Sequence, residues 1–118
     1  MSYDIELVCP TCGQAAEAEE EHDIRGGTYC IGDNRLRLNV TYNYAPFFRM
    51  TLGERGIRAI YGLTAAESIP VLESAAARLT GEPDDDYWAA LPGNARRAME
   101  HLISLARLAP LHSVWRGD

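Results

Sequence analysis

A chain of 118 residues is long enough to bury a core without disulfide or metal staples, and a single domain is the expectation. Its 47% apolar and 24% charged composition excludes wholesale disorder, and its uncharged runs are too short to span a bilayer. A net charge of −6, with arginine as every one of its 11 basic residues, opposes binding to nucleic-acid phosphate backbones.

The start, Met1-Ser2-Tyr3-Asp4-Ile5-Glu6, lacks the basic and apolar regions of a signal peptide, so the chain reads as cytoplasmic. Tyr3, Ile5 and Leu7 then alternate with Asp4, Glu6 and Val8, which predicts a strand running into a turn at Cys9-Pro10-Thr11-Cys12-Gly13. Residues 14–19 suit a returning strand or a helix equally. After the break at Gly26-Gly27, residues 28–31 have strand propensity, and Gly32-Asp33-Asn34 is a turn. The clearest element follows: Leu36, Leu38, Val40, Tyr42 and Tyr44 alternate with Arg37, Asn39, Thr41 and Asn43, the period of a half-buried strand. One face of it packs on a core and the other presents a guanidinium, two carboxamides and a hydroxyl. The strand is expected to end at Ala45-Pro46, with proline in the first turn of a helix.

Helical signals fill the remainder. Residues 47–52 form a short helix stopped by Gly53, and 56–62 a further short turn. Thr64-Ala65-Ala66-Glu67 has the form of a capping box, and Ile69, Leu72, Ala75, Ala76 and Leu79 share one face behind it. Pro70 lies in the first turn if Ser68 is the cap and inside the helix if Thr64 is. An acidic linker at 83–92 carries Tyr87 and Trp88 over the core edge. Asn94 is read as the cap of the last helix, whose apolar positions run from Ala95 to Ala109, and the tail at 111–118 is expected to dock through Val114 and Trp115. The fold class is therefore α+β, a small antiparallel sheet packed by C-terminal helices. One domain spans 1–118, mainly β over 1–44 and mainly α over 46–118, with Leu36, Leu38, Val40, Tyr42, Leu72, Leu79, Met99 and Leu102 in one core.

Two constellations could carry chemistry. Cys9-Pro10-Thr11-Cys12-Gly13 has the spacing of a zinc knuckle, and His22 and Cys30 would complete a structural Cys3His zinc site. Three reduced cysteines in a hairpin and a strand is the alternative. The polar strand face of Asn39, Thr41 and Asn43, with Tyr44 nearby for stacking and Arg37 or Arg49 for a phosphate, is the candidate ligand-binding set. A solvated sheet face is the competing reading. Neither a Gly-x-Ser-x-Gly elbow, nor a phosphate-binding loop, nor a His-Glu-x-x-His pair occurs, and no catalytic residue is assigned, which favours a non-enzymatic role. His101 and His112 read as packing or surface residues. Acidic runs at 17–23 and 82–86 are either solvated edges or a surface for a basic partner.

The segments Gly26-Gly27-Thr28-Tyr29, Leu38-Asn39-Val40-Thr41-Tyr42-Asn43-Tyr44, Gly56-Ile57-Arg58-Ala59-Ile60-Tyr61-Gly62, Ala66-Glu67-Ser68-Ile69-Pro70-Val71-Leu72, Gly93-Asn94-Ala95 and Trp115-Arg116-Gly117-Asp118 together resemble a family of small proteins encoded by bacteriophages and prophages. The resemblance covers nearly the whole chain and implies no particular chemistry. It does imply a setting in the host-cell cytoplasm. There the chain would be a non-enzymatic binder of a small polar ligand such as a nucleotide, or an acidic protein that blocks a host protein. A small structural-zinc protein is a third reading, and a homo-oligomer is compatible with each.

Overall fold

Alternation at the N-terminus builds the middle of the sheet. A computed structural model describes residues 1–24 and 33–118, and in it β1 (Ser2–Val8) lies between β4 (Arg37–Thr41) and β5 (Val114–Gly117), antiparallel to both. The register sets Tyr3 opposite Val40, Ile5 opposite Leu38 and Leu7 opposite Trp115. All six are buried, so the inward face of the sheet is continuous. The expected strand over 28–31, with Cys30, lies outside the described residues.

A second ribbon pairs β2 (Glu17–His22) with β3 (Asp33–Arg35), which settles the ambiguous acidic segment as a strand. Leu36 joins the two sheets. Its N–H donates to the Ala16 carbonyl at 3.3 Å, and its own carbonyl accepts from the Leu7 N–H at 3.0 Å. At this residue the chain exchanges β2 for β1 as its partner, and burial of the Leu36 side chain holds the crossing in place.

Beyond Val40 the expected alternation fails. Val40 and Thr41 are both buried, and residues Tyr42–Tyr44 form a 3-10 turn rather than the end of the strand. The reason is local: the Thr41 hydroxyl accepts from the Asn43 N–H at 3.2 Å, which caps a helical turn and turns the chain away from the ladder. α1 (Ala45–Leu52) follows with Pro46 in its first turn, and Gly53 ends it at φ +95°, in the left-handed region. A 3-10 segment over Gly56–Ile60 then leads to α2 (Ala65–Ala77).

The capping box of α2 forms as its sequence predicts. Thr64 Oγ1 accepts from the Glu67 N–H at 3.1 Å, and Glu67 Oε1 accepts from the Thr64 N–H at 2.9 Å. Pro70 therefore sits inside the helix, where its missing N–H removes the bond that position would otherwise donate to the Ala66 carbonyl. α2 buries Leu72, Ala75 and Ala76 against the Ala95, Ala98, Met99 and Leu102 face of α3 (Pro92–Leu108), and α3 in turn packs on β4. The tail docks as expected, as β5. Among the described residues no helix is long and apolar enough to cross a membrane.

One expectation about α3 is corrected. The helix begins at Pro92 with Leu91 in the capping position, so Asn94 lies in the first turn and does not cap it. Its buried side chain instead organises the acidic loop before the helix. Asn94 Oδ1 accepts from the Asp84 N–H at 2.8 Å, and Nδ2 donates to the Asp86 and Ala89 carbonyls, each at 3.0 Å.

Candidate functional site

The polar residues singled out on the central strand do converge, but on the chain itself. Asn39 is half-buried opposite Asp4, and its Nδ2 donates to Asp4 Oδ1 at 2.8 Å and to Ser2 Oγ at 2.7 Å. Thr41, two residues on in the same strand, is buried, with its hydroxyl in the cap already described. Asn43, beyond the strand, donates from Nδ2 to the Trp88 carbonyl at 2.8 Å. The expected single face of Asn39, Thr41 and Asn43 is therefore corrected. Period two requires all three to lie on one strand, and the 3-10 turn separates the last from the first.

Tyrosines complete this fastening. Tyr44 is fully buried and its hydroxyl donates to the Tyr87 carbonyl, while the Tyr87 hydroxyl donates to the Asn39 carbonyl at 3.0 Å. The two rings meet edge to face at 5.6 Å. Burial raises the pKa of both phenols, so both stay protonated donors through neutral pH. Arg37 and Arg49 are exposed, Arg37 at the start of β4 and Arg49 in the last turn of α1. Together Asn39, Asn43, Tyr44 and Tyr87 bind the loop before α3 to the end of β4.

The cysteine turn has a different character. Gly13 N–H donates to the Cys9 carbonyl at 2.9 Å and Cys9 N–H to the Gln14 carbonyl at 2.9 Å, with Gly13 in the left-handed region at φ +73°. This tight loop is the tip of the β1–β2 hairpin. The Thr11 hydroxyl, 3.1 Å from Cys9 Sγ, leads the hydrogen bonds that lower the Cys9 thiol to about 6, with the backbone and thiol of Cys12 adding to it. Cys9 is half-buried and Cys12 exposed, and both are free thiols. The lowered pKa favours the thiolate of Cys9 at neutral pH. Iodoacetamide labelling of the Cys9 peptide, followed by mass spectrometry, should give a rate profile with its midpoint near 6, and Thr11→Ala should move that midpoint upward. A midpoint near 9 in the unaltered chain would remove the thiolate.

His22, expected as a third ligand, is engaged elsewhere. Its Nδ1 accepts from the Ile24 N–H at 3.3 Å, which leaves Nε2–H to donate to the Arg35 carbonyl at 2.7 Å. Nε2 thus ties the end of β2 to β3, while Nδ1 holds the backbone just after β2. Cys30 lies outside the described residues, and among those described no three His, Cys, Asp or Glu side chains are grouped to hold a metal ion.

A groove that the sequence did not disclose lies between β2 and the C-terminal end of α3. Its cavity is about 500 Å³, lined on one side by Glu17, Glu19, Glu20, Glu21 and His22 and on the other by residues 107–110. Ala18, between the first glutamates, faces the core, while all four glutamates are exposed. The cation on the opposite wall, Arg107, is drawn to Glu73 of α2 at 3.1 Å. The end of a helix carries partial negative charge, so the α3 terminus adds to the field of the carboxylates. Within that wall Leu108 is 45% exposed, an apolar element beside the carboxylates. The second acidic run differs: Asp84 Oδ1 accepts from the Asp86 N–H and Asp86 Oδ1 from the Trp88 N–H, so those carboxylates shape their own loop.

Comparison of the chain with protein-family models, with curated proteins and with solved structures yields no match.

Proposed function

We propose that the protein is a non-enzymatic binding module whose groove between β2 and the end of α3 receives a basic, partly apolar segment of another protein. The observation that carries this is the composition of the groove. Four glutamates of β2 and the C-terminal end of α3 line one cavity, the arginine in its wall is paired with Glu73, and exposed Leu108 lies in the same wall. Carboxylates in such numbers attract arginine and lysine side chains over the range of a Debye length, about 8 Å at physiological salt. The apolar rim supplies the burial that charge alone does not. If the resemblance to small phage-encoded proteins holds, the partner is a host protein.

The alternative of a small polar ligand held by Asn39, Thr41 and Asn43 has less support, since the polar groups that motivated it are engaged with Ser2, Asp4, Trp88 and the 3-10 turn. The test uses a fluorescein-labelled basic amphipathic peptide alternating arginine and leucine, followed by anisotropy. Replacing Glu19, Glu20 and Glu21 with Gln should weaken binding about tenfold, because exposed ion pairs contribute about 0.2–1 kcal/mol each. Glu82→Gln with Asp85→Asn removes charge from the other acidic run and should leave the affinity nearly unchanged. Equal loss in both variants would mean that the peptide senses only net charge, and the groove would lose its role.

A further inference from the structure

We propose that the Cys9–Cys12 turn is one half of a binding site for a thiophilic, tetrahedral cation such as zinc, and that a second copy of this chain supplies the other half. The two thiols belong to one tight turn, closed by backbone hydrogen bonds at both ends, and they have the two-residue spacing of a zinc knuckle. Both sulfurs can thus meet one ion. Zinc takes four ligands, with Zn–S bonds of about 2.3 Å, so a dithiol leaves two positions open.

Nothing described within the chain fills them. No third metal-ligating side chain is grouped with the cysteines among the described residues, and both ring nitrogens of His22 are held by Arg35 and Ile24. The turn is instead placed to meet another molecule. Residues 10–15 are all exposed, at the tip of a hairpin, where nothing bulky hinders approach. Charge permits it as well. Although the chain carries −6, residues 7–16 (Leu-Val-Cys-Pro-Thr-Cys-Gly-Gln-Ala-Ala) contain no charged side chain, so two tips can approach with little repulsion. Two dithiolates about one divalent cation complete a tetrahedral four-sulfur site.

The experiment is native mass spectrometry of the full chain, kept reduced with a phosphine and titrated with zinc. The expected species holds two 13.1-kDa chains and one zinc, and returns to monomer on addition of EDTA. Cys12→Ser should bind no zinc and stay monomeric, with an unchanged circular dichroism spectrum because the residue is exposed at a turn. Cys30→Ser and His22→Gln should keep the zinc-linked dimer. One zinc per single chain, lost in Cys30→Ser, would overturn the proposal in favour of a site closed within the chain. A dimer indifferent to EDTA, or a chain that takes up no zinc, would overturn it equally.

Discussion

Trp115→Ala should destabilise the protein by about 3–5 kcal/mol, the usual cost of removing a buried large aromatic side chain. The indole is 1% exposed, opposite Leu7 in the sheet, and its Nε1 donates to Ser68 Oγ at 2.7 Å. Ser68 in turn donates to the Ala65 carbonyl at 2.8 Å, inside the first turns of α2. The backbone of Trp115 is tied on its other side as well, since its N–H donates to the Leu63 carbonyl and its carbonyl accepts from the Gly62 N–H. One residue therefore joins β1, the loop before α2 and α2 itself. For a domain of this size the loss corresponds to a fall in Tm of roughly 10–25 °C. Trp115→Phe retains much of the packing and leaves Ser68 its bond to Ala65, so it should cost roughly half as much. Urea denaturation of both variants measures the difference. A loss below about 1 kcal/mol in Trp115→Ala would place β5 outside the cooperative unit.

Asn94→Ala should cost about 2–4 kcal/mol, more than a surface helix cap would. Removing a partner of a buried polar group exposes the full desolvation cost of what is left, about 1–3 kcal/mol each. Here the Asp84 N–H and the Asp86 and Ala89 carbonyls all lose the same carboxamide. Asn94→Asp keeps the acceptor for Asp84 but loses both donations, and should be nearly as damaging. The neighbouring residue shows how closely the loop lies on the helix: a Cβ added at Gly93 would stand 2.3 Å from the Glu82 carbonyl oxygen. Once the loop is released, the bonds from Asn43 to Trp88 and from Tyr44 to Tyr87 lose their anchor. Amide exchange should accordingly quicken over residues 84–91 in Asn94→Ala before it changes in β1. Unaltered exchange there would assign the loop's order to the tyrosines alone.

Those tyrosines and asparagines show why a polar strand face misleads. Asn39, Thr41 and Asn43 drew notice because carboxamides are poorly suited to a strand interior, and each does have a specific partner. The partners are Asp4, a backbone amide two residues on, and a carbonyl 45 positions away in sequence. Directional hydrogen bonding was legible in the residue types. Whether it is directed at a ligand or at the chain's own loop depends on what folds over the strand.

The sequence by itself determined the elements whose signals are short-range. Period two in β1 and in the Leu36–Val40 part of the second strand signal, the Thr64–Glu67 box at the head of α2, the apolar stripe of α3 and the glycine stop at Gly53 each depend on residues a few positions apart, and each stands where its pattern predicts. Docking of Val114 and Trp115 was legible too, because a segment that apolar is driven out of water. Only the tertiary structure decided where β4 ends, since alternation of apolar residues persists through Tyr42 and Tyr44 whether the backbone is extended or wound into a 3-10 turn. It decided that Asn94 faces a loop ten residues upstream rather than its own helix end. It also made the acidic groove, because the glutamates of β2 and the end of α3 lie some 90 residues apart in the chain and acquire a common field only when the ribbon folds against that helix.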